Sequence, residues 1–385
     1  MKICFIIEYY YPHVGGFEVL FQNLAEGLVK AGHHCTVVTC RLPGTLPRET
    51  INGVHIHRVR VPVIGDRYWF TFFSGYAAWK HAQSADIIGT TTYNGTLAAW
   101  MLSKFFRKPA VMVNLEVVGE NWSRIGLNPL IAFLYRLTEN IVLCLSFDRH
   151  ICISQYTLNS LKSRGIPPDK LCLAYPGIDY ALFDLAKVGR TREAIRNNLG
   201  IKQDDFVYLY FGRPGFVKGV EYLVKSVRHI QKKVPRAKLL MILSRKPNNG
   251  YRRIEELIAK LNLERGMDII IIDPVRRDEL PDYLRASDCV VVPSLSEGFG
   301  FTCVEACTMG IPVVATAVGS IPEVIFGKYV LVNPRDPSSL AEGVDKVYRK
   351  RYSTSDHKKF AWEDMVKKHV GIYESLLASP RYHKS

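Results

Sequence analysis

Short apolar runs alternate along this chain with stretches where apolar side chains recur every three or four positions. In the first half the runs fall at 2–7, 35–39, 54–59, 86–89, 110–114, 150–153 and 171–174. Between the first two, Val19, Leu20, Leu24 and Leu28 are spaced as on one helix face across 17–30, which predicts a strand–helix–strand unit. Runs this short and this continuous are expected of parallel strands covered on both faces. The second half repeats the pattern, with strands predicted at 206–211, 238–243, 268–272, 289–292, 312–315 and 330–331. Helices fit at 220–232, 251–261 and 301–309. A charged, mixed stretch at 178–200 separates the halves, and a last amphipathic helix carries Val366, Val370, Tyr373 and Leu376 before a loose end at 383–385. The expected architecture is α/β, with two Rossmann-like parallel-sheet domains at 1–185 and 186–360. Residues 361–385 would form a helix packing back toward the first domain. Open parallel sheets bind ligands at the carboxyl ends of their strands, so an interdomain cleft is expected, lined by loops that directly follow strands.

Composition narrows the function classes. At about 150 residues per domain, 385 residues make two or three domains. With 48% apolar and 23% charged residues the chain is packed and globular, not disordered. Lys and Arg outnumber Asp and Glu by 51 to 36, a net +15 that suits nucleic acid, an anionic membrane or phosphorylated substrates. No helix-turn-helix, zinc or RNA-sheet signature accompanies the charge, which argues against nucleic acid. The run before Glu8 is too short for a signal peptide core, and no 18 apolar residues run uninterrupted. The nearest approach, 130–144, is broken by Arg136, Glu139 and Asn140. Nine cysteines, an odd number without CxxC spacing, read as buried thiols of a reducing compartment. A cytoplasmic protein, peripheral on a membrane face, is expected.

Two segments carry chemistry. The run 208–219 ends a strand and opens a helix, with Gly212 and Gly219 relaxing a loop that holds Arg213 and Lys218. A guanidinium fork, a mobile ammonium and a helix N-terminus are the groups that hold a diphosphate. The spacing is not that of a P-loop. The run 293–314 delivers Glu297 from a strand into a loop, where Gly298 and Gly300 allow close backbone approach before a helix bearing Glu305. A carboxylate at a strand end is a familiar partner for a ribose diol. Asp204-Asp205 precedes a strand and is expected at the surface, and no DxD clamp for a metal diphosphate stands out.

These motifs, in this order, resemble glycosyltransferase family 4, retaining enzymes of GT-B fold. The resemblance rests on FGR…KG, SEGFG followed by Glu305, the segment 313–323, Asn333-Pro-Arg-Asp-Pro, and the N-terminal Tyr11-Pro-His-Val-Gly-Gly with Ser154 and Pro176-Gly-Ile-Asp. It spans 1–376. It implies a nucleoside-diphosphate sugar donor, UDP- or GDP-linked, with Arg213 and Lys218 on the diphosphate and Glu305 on the ribose hydroxyls. Glu297, with Gly298, Phe299 and Gly300, would contact the sugar near the reacting carbon, and Gly212 would let the chain turn beneath it. Gly15 and Gly16 match the glycine loop that approaches the phosphates from the other side of the cleft. The resemblance also implies front-face attack, the departing phosphate accepting the proton, and independence of metal. Catalytic weight would fall on Arg213, Lys218 and Glu297.

The acceptor side departs from that family's pattern. No His lies between Lys108 and Arg149, where many relatives place one, and the nearest polar groups are Asn114, Glu116 and Glu120. His13, in the glycine loop, is a further candidate for the acceptor hydroxyl. The resemblance implies a lipid-linked, phospholipid or polysaccharide acceptor. The aromatics and cations at 100–108 suit an anionic membrane surface, whereas the aromatic stripe at 68–73 is expected to pack in the core. Competing readings are a non-hydrolysing epimerase, a phosphorylase-like GT-B protein, for which no pyridoxal lysine segment is seen, and a basic nucleic-acid-binding protein.

Overall fold

The computed structural model describes every residue except 14, 63–64, 93, 120–121, 123–127, 246–247 and 383–385. The expected loose end at 383–385 therefore lies outside the described residues. Two compact units divide the chain. The first comprises Met1–Trp122, Asn128–Gly177 and Phe360–Ser385, the second Ile178–Lys359.

The first unit runs β1 (Lys2–Ile6), α1 (Gly16–Lys30), β2 (His34–Cys40), β3 (Arg48–Ile51), β4 (Val54–Val59), α2 (Asp66–Ser84), β5 (Ile87–Thr91), α3 (Thr96–Phe106), β6 (Ala110–Asn114), α4 (Pro129–Cys144), β7 (Arg149–Cys152), α5 (Gln155–Lys162) and β8 (Leu171–Leu173). Its eight strands lie in the order β3-β4-β2-β1-β5-β6-β7-β8, and only β3 runs antiparallel to its neighbour. The second unit runs α6 (Arg192–Asn198), β9 (Phe206–Gly212), α7 (Val220–Lys233), β10 (Ala237–Leu243), α8 (Asn248–Lys260), β11 (Ile269–Ile272), α9 (Leu280–Ala286), β12 (Cys289–Val292), α10 (Phe301–Thr308), β13 (Val313–Thr316), α11 (Ile321–Val324), β14 (Gly327–Val332), α12 (Pro337–Tyr348) and β15 (Ser353–Ser355). Its order is β11-β10-β9-β12-β13-β14-β15, with only the edge strand β15 antiparallel. Six consecutive strands of each sheet follow the doubly wound order, two strands stepping one way from the first and the rest the other.

The apolar runs form these strands because both sheet faces are covered. Phe5, Ile6, Val37, Val38, Ile87 and Ile88 are sealed in one unit, as are Leu209, Leu240, Val291 and Val314 in the other. Helix α1 buries Leu20, Phe21, Leu24 and Leu28, and the last helix, α13 (Trp362–Leu377), packs on its outer side. A Cβ added at Gly27 would stand 2.4 Å from Val366. α13 thus belongs to the first unit.

Two expectations change. In α2 the residues facing the sheet are Phe70, Ser74, Ala78 and Ala82, spaced four apart, and all are sealed. The remaining aromatics point outward: Tyr68, Trp69, Phe72 and Phe73 are exposed, and Tyr76 is 90% exposed. A helix apolar on several sides can bury only one stripe, and here small side chains take most of it. The second change concerns Asp204-Asp205. Asp204 is exposed, but Asp205 is buried, accepting hydrogen bonds from Lys202 N and Arg236 Nε at 3.0 Å. It fastens the turn into β9.

The free thiols are mostly buried; Cys172 is half-buried and Cys144 exposed. No helix among the described residues is long and apolar enough to cross a membrane.

His150, on β7, is buried opposite Met112, its Nδ1 3.5 Å from Asn114 Nδ2. Burial, and then Lys170, pull its pKa down to about 4. The unfolded imidazole titrates near 6.5, so the stabilisation is complete above pH 6.5 and is lost as pH falls toward 4. About 2 kcal/mol should disappear between pH 6.5 and pH 5. Urea midpoints of the protein and of His150→Leu, measured across this range, check it: the variant should have the shallower pH slope, and equal slopes would contradict the assignment.

Candidate active site

The second unit places its candidate residues where β9 and β12 lie side by side and the connections leave in opposite directions. β9 ends at Gly212, and the chain passes Arg213 and a tight turn at Phe216–Lys218 before α7. β12 ends at Val292 and continues through Ser294 and Glu297 to α10. Leu295 N donates to Val217 O at 2.7 Å, joining the two loops. Gly219 makes this approach workable: its φ is +63°, and a Cβ there would stand 1.9 Å from Pro293 O.

The joined loops bring Lys218 Nζ to 2.6 Å from Glu297 Oε1, which also accepts the Ser294 hydroxyl at 2.8 Å. Glu297 is buried while Lys218 remains partly open, with side-chain exposures of 8% and 34%. The Glu297 carbonyl is held in turn by Ser320, through N at 3.0 Å and Oγ at 3.2 Å. An ammonium has three donors, so one directed at Glu297 leaves capacity for a ligand anion. Tyr210 lies beneath, its hydroxyl donating to Arg213 O at 2.9 Å, and burial pushes its pKa up. The Arg213 side chain is exposed and has no hydrogen bond or ion pair among the described residues.

Glu305 sits in α10, buried, and accepts a hydrogen bond from Arg277 Nη2 at 2.8 Å. Burial raises its pKa and Arg277 opposes the rise. Arg277 also lies over the Phe183 ring, 5.4 Å from its centroid. Gly298 and Phe299 are buried, and Phe299 meets Phe301 edge-on at 5.0 Å. Gly300 caps α10 with φ +80°.

The first unit has its own switch point, between β1 and β5. Gly15 is the N-cap of α1 and Gly16 its first residue. Glu18, buried in the first turn, accepts a hydrogen bond from His13 Nδ1 at 2.7 Å, and Tyr9 stacks on His13 at 4.7 Å. The imidazole is therefore fixed on two sides. Glu8, buried after β1, accepts from Asn94 Nδ2 at 2.5 Å. Asn114 is completely buried, its Nδ2 donating to Met112 O at 2.9 Å, while Glu116 is half-buried. Glu120 lies outside the described residues. Among the described residues no three His, Cys, Asp or Glu side chains converge as metal ligands.

Sequence reasoning missed Ser294, Arg277, Glu18 and Glu8. Glu18 carried a readable signal: a carboxylate at the third helical position is placed to reach back over its own N-terminus. Arg277 carried none, because its partner lies 28 residues away.

Residues 14–182 match the family model "Glycosyltransferase Family 4", and residues 191–362 match "Glycosyl transferases group 1". A D-inositol 3-phosphate glycosyltransferase of Kineococcus radiotolerans is 34% identical, over 80% of this chain and 74% of that one. Among solved structures, sucrose-phosphate synthase from Thermosynechococcus elongatus superposes with a TM-score of 0.78 at 22% identity, covering 98% of this chain and 100% of that one. HepE from Anabaena, in complex with UDP-glucose, gives 0.69 at 16% identity, covering 98% and 100%. With two doubly wound units and matches that run through both, the chain belongs to family 4 of the GT-B glycosyltransferases.

Proposed function

We propose that this glycosyltransferase moves a sugar, with retention of configuration, from a nucleoside-diphosphate donor to a hydroxyl of a lipid-linked, phospholipid or polysaccharide acceptor. The observation that carries the reading is the Lys218–Glu297–Ser294 group at the switch point of the second unit. A cation poised at a strand end beside a helix N-terminus suits a diphosphate, and the neighbour HepE is a complex with UDP-glucose.

In the proposed step the acceptor oxygen bonds to the anomeric carbon as the carbon–phosphate oxygen bond breaks. The hydroxyl proton passes to the departing phosphate oxygen. Charge grows on the diphosphate, and Lys218 and Arg213 offset it more in the transition state than before it. Glu297 orients Lys218 and the sugar, and Glu305 takes the ribose hydroxyls. Burial raises the pKa of Glu305 and Arg277 opposes that rise, favouring the form that accepts hydrogen bonds.

A screen of UDP-, GDP- and ADP-sugars for saturable binding tests the donor half. One nucleotide should bind, and Arg213→Ala and Glu305→Ala should each weaken it about tenfold or more. Absence of any binding, or undiminished binding by both variants, would overturn the reading.

A membrane-borne acceptor is supported by the outward face of the first unit. Phe72, Tyr76 and Trp79 on α2, Met101 and Phe105 on α3, and Leu130 and Phe133 on α4 are exposed. Exposed apolar side chains on three helices of one unit, in a chain of net +15, suit an anionic bilayer interface. Cosedimentation should be greater with anionic than with neutral vesicles, and equal binding would remove the electrostatic part.

A further inference from the structure

A cavity of about 1150 Å3 opens at the sheet edge of the first unit, lined by none of the residues proposed for the donor site. Strands β2, β4 and β3 form its floor and one wall, and α2 the other. Strand register sets Thr36 beside His55, Thr50 opposite His55, and Arg48 opposite His57. Side chains alternate along each strand, so all five share one sheet face. Helix α2 lies over that face, because His57 Nδ1 and His81 Nε2 are hydrogen-bonded at 3.1 Å. Tyr76 and Lys80, one turn apart on α2, complete the rim with Trp79.

The electrostatics of this groove are one-sided. The side chains of Arg48 and Lys80 are exposed and make no hydrogen bond or ion pair among the described residues. His55 Nδ1 lies 3.1 Å from Thr50 Oγ1. Glu49, the one carboxylate among the described lining residues, is taken by the Arg58 guanidinium. Two cations with unpaired side chains, three imidazoles and two threonine hydroxyls thus converge with no free acid among the described lining residues.

We propose that this groove is a binding site for a phosphorylated ligand, with the phosphate held by Arg48, Lys80 and the His57–His81 pair, and the rest of the ligand against Tyr76 and Trp79. An Arg fork and a Lys are the side chains that hold phosphate, and the rings offer an apolar platform. A divalent cation fits badly, since Arg48 and Lys80 repel it and the histidine pair has no third ligand among the described residues.

The proton balance supplies a signature. Burial lowers the pKa of both His57 and His81; after it come His81 and Arg48 for the first, and Arg48 and His55 for the second. Every neighbouring charge that acts on the pair is positive, Lys80 standing next to His81 in the lining. A bound dianion reverses the sign of the local field, so binding draws a proton onto the pair and strengthens as pH falls from 7.5 to 6.0.

Imidazole NMR signals of His57 and His81, identified by their loss in His57→Gln and His81→Gln, provide the test. The full chain is titrated with inorganic phosphate and with sulfate at constant ionic strength. Sulfate keeps its charge over this range, so its pH dependence reports on the protein alone. The expected result is a saturable shift with both anions, at least threefold tighter with sulfate at pH 6.0 than at pH 7.5. Arg48→Ala/Lys80→Ala should weaken binding at least tenfold, with thermal unfolding verifying that the variant folds. Arg213→Ala should leave this binding unchanged, which separates the groove from the donor site.

Two arms distinguish the source of the phosphate. Shifts with phosphatidic acid vesicles, at lipid phosphate levels where free phosphate has no effect, identify a lipid headgroup. Shifts with free phosphate alone identify a soluble phosphoester. Shifts that chloride reproduces, shifts seen only with zinc, or no shift at all would overturn the proposal.

Discussion

Replacing Lys218 with alanine should lower kcat/KM for sugar transfer about a thousandfold, equivalent to about 4 kcal/mol of transition-state stabilisation. Two losses coincide. On the proposed reading the diphosphate would lose a cation as charge develops, and Glu297 becomes a buried carboxylate with only the Ser294 hydroxyl on its Oε1. The second loss acts on stability and is separable from the first. Combining Lys218→Ala with Glu297→Gln removes the uncompensated charge, so the thermal midpoint should recover while activity stays low. A single variant retaining more than a tenth of the parent kcat/KM would show that Lys218 serves the fold and not the reaction.

Gly219→Ala should cost about 4 kcal/mol of stability and most of the activity. The φ of +63° alone costs an L-residue about 1 kcal/mol. The remainder comes from the methyl group, which would stand 1.9 Å from the backbone oxygen of Pro293. Relief requires the two loops to part, breaking the Leu295–Val217 hydrogen bond and drawing Lys218 away from Glu297. Gly310→Ala is the control: φ is +68° there, and no atom lies within 4 Å of the added Cβ. It should lose only about 1 kcal/mol. Equal urea midpoints for the two variants would show that the loop contact is not what fixes Gly219.

What could be read from the chain follows from which forces act locally. Strands β1, β9 and β12 were legible because both faces are buried over most of their length and, Lys2 of β1 and the closing Gly212 of β9 apart, the residues are apolar or aromatic. Strand β3, Arg48–Ile51, carries two charges in four residues and pairs only at an edge, so its apolar pattern is silent. Strand β15 is Ser-Thr-Ser and wholly exposed, and backbone pairing with β14 is all that defines it. The outward aromatics of α2 could not be foreseen from periodicity, because the helix is apolar on more than one side and tertiary packing chose the small-residue stripe. In the candidate site, position after a strand marked Arg213, Lys218 and Glu297 as candidates, and the motif resemblance supplied the roles expected of them. The Lys218–Glu297 pairing spans 79 residues and needed the fold. So did the Arg277–Glu305 pair, in which a side chain from the turn before α9 reaches one on α10. The histidine groove shows the same limit, since His57 and His81 are distant in sequence and meet only through the register of β4 beneath α2.

On the proposed reading the second unit holds a nucleotide diphosphate between the loops after β9 and β12. A crystal structure of the protein with UDP, or with whichever nucleotide the screen selects, tests it most directly. Diphosphate oxygens are expected within hydrogen-bond distance of Lys218 Nζ and the Arg213 guanidinium, with the ribose hydroxyls on Glu305. Nucleotide density on other residues, with the Lys218–Glu297 pair unoccupied, would contradict it.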